Sequence, residues 1–225
     1  MERVPEPEQL MDEPEQAHAY AEADFSEANA LFGRLLRDLA QGEVRGRGLD
    51  IGCGPADIPI ALLREHPGLR LDALDGAEAM LDLARERLAR LPELAGRLRL
   101  HCDTLPTSLL PGAHYDYILS NSLLHHLENP DDLWLTLRRC AADGARVLIM
   151  DLLRPASELA VDTLVETYAL NEPELLRRDF RNSLFAAYTM DEVREQLQRH
   201  ALQGLEVSQV SDRHWAVRGS YRAQG

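Results

Sequence analysis

The stretch "GLDIGCGPADIPI", residues 48–60, runs from an apolar segment into two glycines and a proline and leaves as a second, helix-compatible apolar segment. Glycine serves where the backbone turns sharply or where something must approach it closely. Apolar runs of strand type recur at residues 48–51, 69–75, 98–102, 115–120 and 145–152. Between them, "ADIPIALLREH", "GAEAMLDLARERLARL" and "DDLWLTLRRCAAD" repeat their apolar residues at helical spacing. Strands alternating with helices predict an α/β fold, a parallel sheet covered by helices. Gly52 and Gly54 then fall in the turn after the first strand. Open α/β folds bind ligands at that edge of the sheet, and the next helix aims its positive N-terminus there. A tight turn with no ligand is the alternative.

A dinucleotide site requires G-x-G-x-x-G, whose third glycine lets the helix pack against the strand. Here Gly52, Cys53, Gly54, Pro55, Ala56 and Asp57 follow one another, so an acid takes the third place. A carboxylate there repels a pyrophosphate. An adenosine ligand without phosphates fits instead, and S-adenosylmethionine is such a ligand. Asp75, ending the second strand, is placed to accept hydrogen bonds from both ribose hydroxyls.

Outside this core, 225 residues that are 45% hydrophobic suffice for one α/β domain with elaborations, not for two full domains. The formal net charge is −14, and the first 27 residues hold nine acids (Glu2, Glu6, Glu8, Asp12, Glu13, Glu15, Glu22, Asp24, Glu27) against Arg3, or 1 − 9 = −8. Such a surface repels phosphate backbones, which disfavours nucleic acid and favours a small-molecule partner. Arg177, Arg178 and Arg181 form a patch suited to RNA, but Glu172, Glu174 and Asp179 sit beside it. Cys53, Cys102 and Cys140 lack CxxC spacing and fit a reducing cytoplasm. No export signal or membrane-crossing apolar run is present, so a cytoplasmic location is expected. No metal ligands are assigned, and nothing in the pattern specifies an oligomer.

Residues 1–42 read as an acidic N-terminal arm with helices covering the site, and residues 43–225 as the main domain. In "AHAYAEADFSEANALFGRLLRDL" two short helices are expected, the second with Leu31, Phe32, Leu35, Leu36 and Leu39 on one face. The Pro- and Glu-rich opening "MERVPEPEQLMDEPEQ" is expected to be mobile until something binds beside it. Residues 154–188 form a mostly helical insert after the fifth strand, and Thr189 and Glu192 have capping-box spacing. "LEVSQV" and "HWAVRGSY" close the chain as strands.

Four segments in order, "LDIGCGPAD", "LDALDGAEAML", "HCDTLP" and "YDYILSNSLLHHL", resemble the successive motifs of class I S-adenosylmethionine-dependent methyltransferases, over about residues 48–153. The resemblance implies a Rossmann-like seven-stranded sheet, parallel but for one strand, with helices on both faces. By the same resemblance Asp50, Gly52 and Gly54 line the methionine end of the cofactor, and Asp75 holds the ribose. Met80 packs on the adenine, Asp103 accepts from its amino group, and Thr104 joins the cofactor contacts. Ser120 and Asn121 lie near the sulfonium and its amino group. Core packing accounts equally for Met80, and a turn cap before Pro106 accounts for Asp103.

Methyl transfer from a sulfonium is an in-line displacement with a neutral leaving group, so an enzyme mainly orients the reactants and excludes water. A base is needed only when the nucleophile arrives protonated. "NSLLHHL" offers His126 and His125 as catalytic candidates, and either also fits as packing at a helix start. Acceptor specificity is expected from the insert acting as a lid. Asp151, Arg154, Arg181 and Asn182 are its candidate substrate contacts, near Asp179, Phe180, Ser183 and Tyr188, although a solvated helical face explains many of these charges. Arg213 of "SDRHW", with Asp212 and His214, reads as a turn or a substrate anchor. N-terminal segments of the family commonly lie across the active site, which makes Tyr20 and Phe25 candidates to cover cofactor or substrate; packing explains them equally. The expected function is methyl transfer from S-adenosylmethionine to a small-molecule acceptor. An RNA methyltransferase and a catalytically silent S-adenosylmethionine-binding regulator are the alternatives.

Overall fold

A computed structural model describes residues 1–7, 10, 12–110 and 114–223; Glu8 of the acidic arm lies outside them. The strands are β1 (Gly46–Ile51), β2 (Leu69–Asp75), β3 (Leu98–Cys102), β4 (Tyr115–Asn121), β5 (Ala141–Leu152), β6 (Leu205–Gln209) and β7 (His214–Ser220). They form one sheet in the order β3-β2-β1-β4-β5-β7-β6. β1 to β5 pair in parallel, β7 pairs antiparallel with β5, and β6 antiparallel with β7, so β7 alone runs against the rest.

The sheet is buried on both faces, which is why its strands read as continuous apolar runs. In β5, Val147 and Ile149 enter one core cluster while Leu148 and Met150 enter the other. On the first face lie α5 (Asp131–Cys140) and α8 (Met190–Arg199), through Trp134, Leu137, Val193 and Leu197. Trp134 Nε1 ties the two helices by donating to Gln196 Oε1 at 2.8 Å. The other face carries α2 (Ser26–Ala40), α3 (Asp57–Glu65) and α4 (Glu78–Ala89), through Phe32, Leu36, Leu63 and Leu81. The capping box forms: Thr189 Oγ1 accepts from Glu192 N at 3.3 Å, and Glu192 Oε2 accepts from Thr189 N at 2.7 Å.

One boundary departs from the helical reading of "DDLWLTLRRCAAD". The helix stops at Cys140, and Ala141 pairs with Tyr115 as the start of β5, with Gly144 taking a positive φ of 81° where the strand bends. Pairing in the sheet overrides the helix propensity of the two alanines.

The insert forms α6 (Glu158–Tyr168) and α7 (Glu174–Ala186), packed together through Val161, Val165 and Leu184 over Leu152. The arm forms α1 (Pro14–Glu22), and the opening segment before it lies against the end of α7. There Val4 N donates to the Phe185 carbonyl at 3.0 Å and Arg3 Nε to the Ala186 carbonyl at 2.6 Å. A helix end leaves carbonyls without partners, and this segment satisfies two of them. Among the described residues no helix is long and apolar enough to cross a membrane.

Candidate active site

The chain leaves β1 toward β2 and enters β4 on the other side, so the loops after β1 and β4 diverge and open a crevice at the carboxyl edge. A cavity of about 560 Å³ fills it, roofed by the arm and the insert. That volume is on the scale of small-molecule sites.

The two glycines of the first turn serve different ends. Gly52 has φ 75°, and a Cβ there would sit 2.8 Å from Leu123 Cδ1, so its bare backbone admits the loop that follows β4. Gly54 has φ 52°, and a Cβ there would meet nothing within 4 Å, which leaves its face open to the cavity. Ala56 (φ 65°) and Ser122 (φ 55°) hold the left-handed conformation without being glycine, local strain at the edge of the site.

Asp75 pins this turn to the end of β2. Its Oδ2 accepts from Gly54 N at 2.7 Å and its Oδ1 from Ala77 N at 2.9 Å. Burial raises its pKa against those two bonds. Asp50 is 2% exposed and accepts no side-chain hydrogen bond among the described residues. Burial, with the Asp75 charge adding to it, pushes its pKa up to about 7. Asn121 lines the same wall with a buried Oδ1 that has no partner among the described residues. Met80 packs with Ala17, Ala77 and Tyr20, and the Tyr20 ring lies 4.6 Å from that of Phe25; all three candidates face the cavity.

Asp103 and Thr104 also line the cavity, and the Asp103 carboxylate caps its own turn, accepting from Thr104 N (3.0 Å), Thr107 Oγ1 (2.8 Å) and Ser108 N (3.2 Å). Ser120 stands behind the wall, its Oγ donating to the Ile51 carbonyl at 2.7 Å and joining β4 to β1.

The two histidines occupy a short turn after β4 and differ in access. His125 is buried, with Nδ1 2.5 Å from Asp151 Oδ1 and its backbone N donating to Asp151 Oδ2 at 3.3 Å. Burial opposes charge on His125, but Asp151 outweighs it and the His125 pKa is raised. Burial likewise favours a neutral Asp151, yet His125 holds its pKa below the usual range. The His126 ring leans on His125, centroids 4.0 Å apart and planes tilted by 38°, and faces the cavity. Its Nδ1 meets the carboxylate of Glu6, which also accepts from Ser183 Oγ at 2.6 Å. Burial raises the Glu6 pKa, but His126, His125 and Ser183 more than reverse this.

Metal-capable atoms of Glu6, His125 and His126 lie within 4.8 Å of one another. Both Nδ1 atoms already face carboxylates, that of His125 at Asp151 and that of His126 at Glu6. The set is two carboxylate–imidazole pairs.

Of the expected substrate contacts, Tyr20, Phe25 and Arg213 line the cavity. Arg213 pairs with Glu27 (2.9 Å) and Asp212 (3.2 Å) and lies 3.4 Å above the Tyr168 ring. Four others lie elsewhere. Asp151 is buried behind His125. Arg154 is buried in a bond to Glu192 at 2.7 Å, holding α8 to the end of α7. Arg181 points outward to Asp162 at 3.2 Å and over the Phe185 ring, and Asn182 is not among the lining residues. The face α7 turns to the cavity is Leu176, Asp179, Phe180 and Ser183. That spacing is one helical stripe, a signal the sequence carried and charge-based reading passed over. Glu6 and Gln16, which donates to Asp179 at 3.1 Å, carried no local signal.

A methyltransferase-domain family model matches residues 49–147. The malonyl-[acyl-carrier protein] O-methyltransferase of Geobacter sulfurreducens is 30% identical over 193 residues, which cover 82% of this chain and 68% of that protein. The chain belongs to the class I S-adenosylmethionine-dependent methyltransferases. As a member of that family it is an enzyme whose cofactor is S-adenosylmethionine. The trans-aconitate 2-methyltransferase of Acidovorax sp. is 34% identical over 96 residues, 43% of this chain and 34% of that methyltransferase's length. An S-adenosylmethionine-dependent methyltransferase from Aquifex aeolicus shares the fold with a TM-score of 0.66 at 18% identity, over 93% of this chain and 98% of that one.

Proposed function

We propose that this methyltransferase acts on a small proton-bearing acceptor, neutral or an amine, held between the cofactor turn and the roof formed by arm and insert. The observation that carries this reading is the continuous cavity of about 560 Å³, which reaches from Gly54 and Asp75 to Phe180, Ser183 and Arg213. One wall is built from the cofactor-type motifs and the other from elements peculiar to the ends and insert of this chain.

The residues of the first wall suit the cofactor. The buried carboxylate of Asp50 and the orphaned Asn121 Oδ1 provide acceptors for an ammonium group. Asp75 keeps lone pairs beyond its two backbone bonds for ribose hydroxyls. Met80 offers an apolar surface for a flat base, and Asp103 with Thr104 closes that end. Bound there, the cofactor supplies a methyl group made electrophilic by its sulfonium.

On the second wall, Tyr20 and Phe25 cover the mouth and exclude water, while Phe180 and Ser183 shape the acceptor pocket. Its charge favours an acceptor that is not a polyanion. Asp24, Asp132, Glu172 and Asp179 line it, and the Arg213 guanidinium there is already paired with two acids. His126 reaches the cavity with Nδ1 taken by Glu6, leaving Nε2 to accept the acceptor's proton.

The test is turnover of S-adenosylmethionine to S-adenosylhomocysteine with a panel of amines, alcohols, phenols, trans-aconitate and tRNA. Turnover with an amine or a neutral hydroxyl compound is expected. Turnover only with tRNA or a polycarboxylate, or cofactor binding with no turnover across a full metabolite extract, would overturn the reading.

A further inference from the structure

Glu6 lies 120 residues from His126 and 177 from Ser183, yet its carboxylate meets both. Its side chain is only 7% exposed, and a buried carboxylate is costly unless its oxygens are paired. Each oxygen has its own partner: Oε2 faces His126 Nδ1, and Oε1 accepts from Ser183 Oγ at 2.6 Å. Two turns of unrelated chain are thereby joined by one residue of the opening segment.

We infer that Glu6 is a positioning residue for methyl transfer, orienting His126 so that Nε2 faces the acceptor. The inference rests on the reading of His126 as the base. A carboxylate at Nδ1 accepts a hydrogen bond from Nδ1–H, and in a neutral imidazole that tautomer leaves the lone pair on Nε2. The opening segment is itself anchored before it reaches Glu6. Arg3 donates to the Ala186 and His125 carbonyls at 2.6 and 3.1 Å and lies 4.3 Å over the Tyr188 ring, and Val4 N bonds the Phe185 carbonyl at 3.0 Å. Glu6 is thus delivered at a fixed place by a segment whose sequence shows only an acidic, proline-rich opening.

The other histidine does not compete for this role. His125 is buried and holds Asp151 with Nδ1, so it supplies a floor against which the His126 ring rests at a tilt. The charged groups acting on His126 are Glu6 from the opening segment, Asp75 from the end of β2, Asp151 from β5 and His125 beneath it; Arg3 acts on the same pair from the far side. Asp75 and Asp151 each have other partners, whereas Glu6 touches the His126 ring itself.

In the step, the acceptor's lone pair forms the new bond to the methyl carbon and the carbon–sulfur bond breaks with its pair going to sulfur. The acceptor's proton passes to His126 Nε2. The resulting imidazolium is stabilised by the Glu6 carboxylate until water removes the proton.

The test follows the His126 imidazole by nitrogen-15 NMR in the full chain, with His126→Ala to assign the signals, and compares wild type with Glu6→Gln and Ser183→Ala. Wild type should show the neutral ring protonated at Nδ1. Glu6→Gln should lose that single tautomer, the neutral ring showing protonation at Nε2 as well as at Nδ1, because an amide can donate to Nδ1 where a carboxylate only accepts. Ser183→Ala, which loosens the carboxylate without removing it, should give a smaller change of tautomer in the same direction. S-adenosylmethionine affinity, read by calorimetry, should stay within about twofold in both. With the acceptor found by the panel, Glu6→Gln should lower kcat about tenfold or more, with Glu6→Asp recovering part of the rate. A His126 tautomer in Glu6→Gln unchanged from wild type, or a wild-type neutral ring protonated at Nε2, would overturn the inference. So would turnover that is lost to a chelator and restored by a divalent metal. If His126→Ala retains turnover, the base reading fails and the inference with it; if His126→Ala is inactive while Glu6→Gln is normal, only the role of Glu6 fails.

Discussion

Asp50 and Asp75 share one wall of the cavity, where burial, with the Asp75 charge adding to it, makes the Asp50 carboxylate costly to ionise. Its pKa is raised from 3.8 to about 7, so near neutrality the folded chain without ligand holds a proton the unfolded chain has released. The stability this supplies is full below pH 4 or so and is lost as pH rises through about 7. An amide has no such dependence. Asp50→Asn should therefore raise the Tm of the ligand-free protein at pH 8 by about 2–4 °C or more, the scale for one kcal/mol in a chain of this size. The same variant should weaken S-adenosylmethionine binding by about 1–3 kcal/mol, as a buried ammonium loses its partner. A thermal melt and a titration decide, and a variant that binds normally would remove Asp50 from the site. The neighbouring glycines should separate. Gly52→Ala presses on Leu123 and should cost about 1–3 kcal/mol of stability. Gly54→Ala meets no atom of the described residues within 4 Å, but its φ of 52° is left-handed, so it should cost about 1–2 kcal/mol of stability from the backbone alone and weaken cofactor binding besides.

Helix α7 shows how far a residue's type differs from its placement. Arg181 and Asn182 look like substrate contacts because they are polar and near aromatic residues, but the helical period turns the Leu176, Asp179, Phe180 and Ser183 stripe inward. Phe180→Ala should reduce kcat/KM for the acceptor about tenfold while leaving cofactor affinity unchanged, and Arg181→Ala should sit close to wild type; steady-state kinetics on both would reverse this assignment if the order came out the other way. The strands and the turn after β1 were legible because each is local: an apolar run, a glycine pair, an acid at a strand end. The capping box was legible for the same reason, and Thr189→Ala should cost about 1 kcal/mol in a denaturant melt. The Glu6 contact with His126 and the structural bond of Arg154 arise from packing between distant segments, which residue spacing does not encode.

At the scale of the molecule, a formal net charge of −14 and a cavity rimmed with acids argue against a polyanionic partner. Filter binding at physiological salt should detect no tight association with tRNA; steeply salt-dependent binding would show that a local patch outweighs the total. The sheet order, the divergent loops after β1 and β4, and the acids ending β1 and β2 converge on one claim, that the wall from Asp50 to Asn121 holds S-adenosylmethionine and the roof holds its acceptor. Titration calorimetry of S-adenosylmethionine into wild type and Asp75→Ala, with a nicotinamide dinucleotide as control, tests it most directly. Wild type should bind one equivalent, Asp75→Ala should bind about 1–3 kcal/mol more weakly, and the dinucleotide should give no heat. Equal affinity in the two proteins, or tight binding of the dinucleotide, would contradict it.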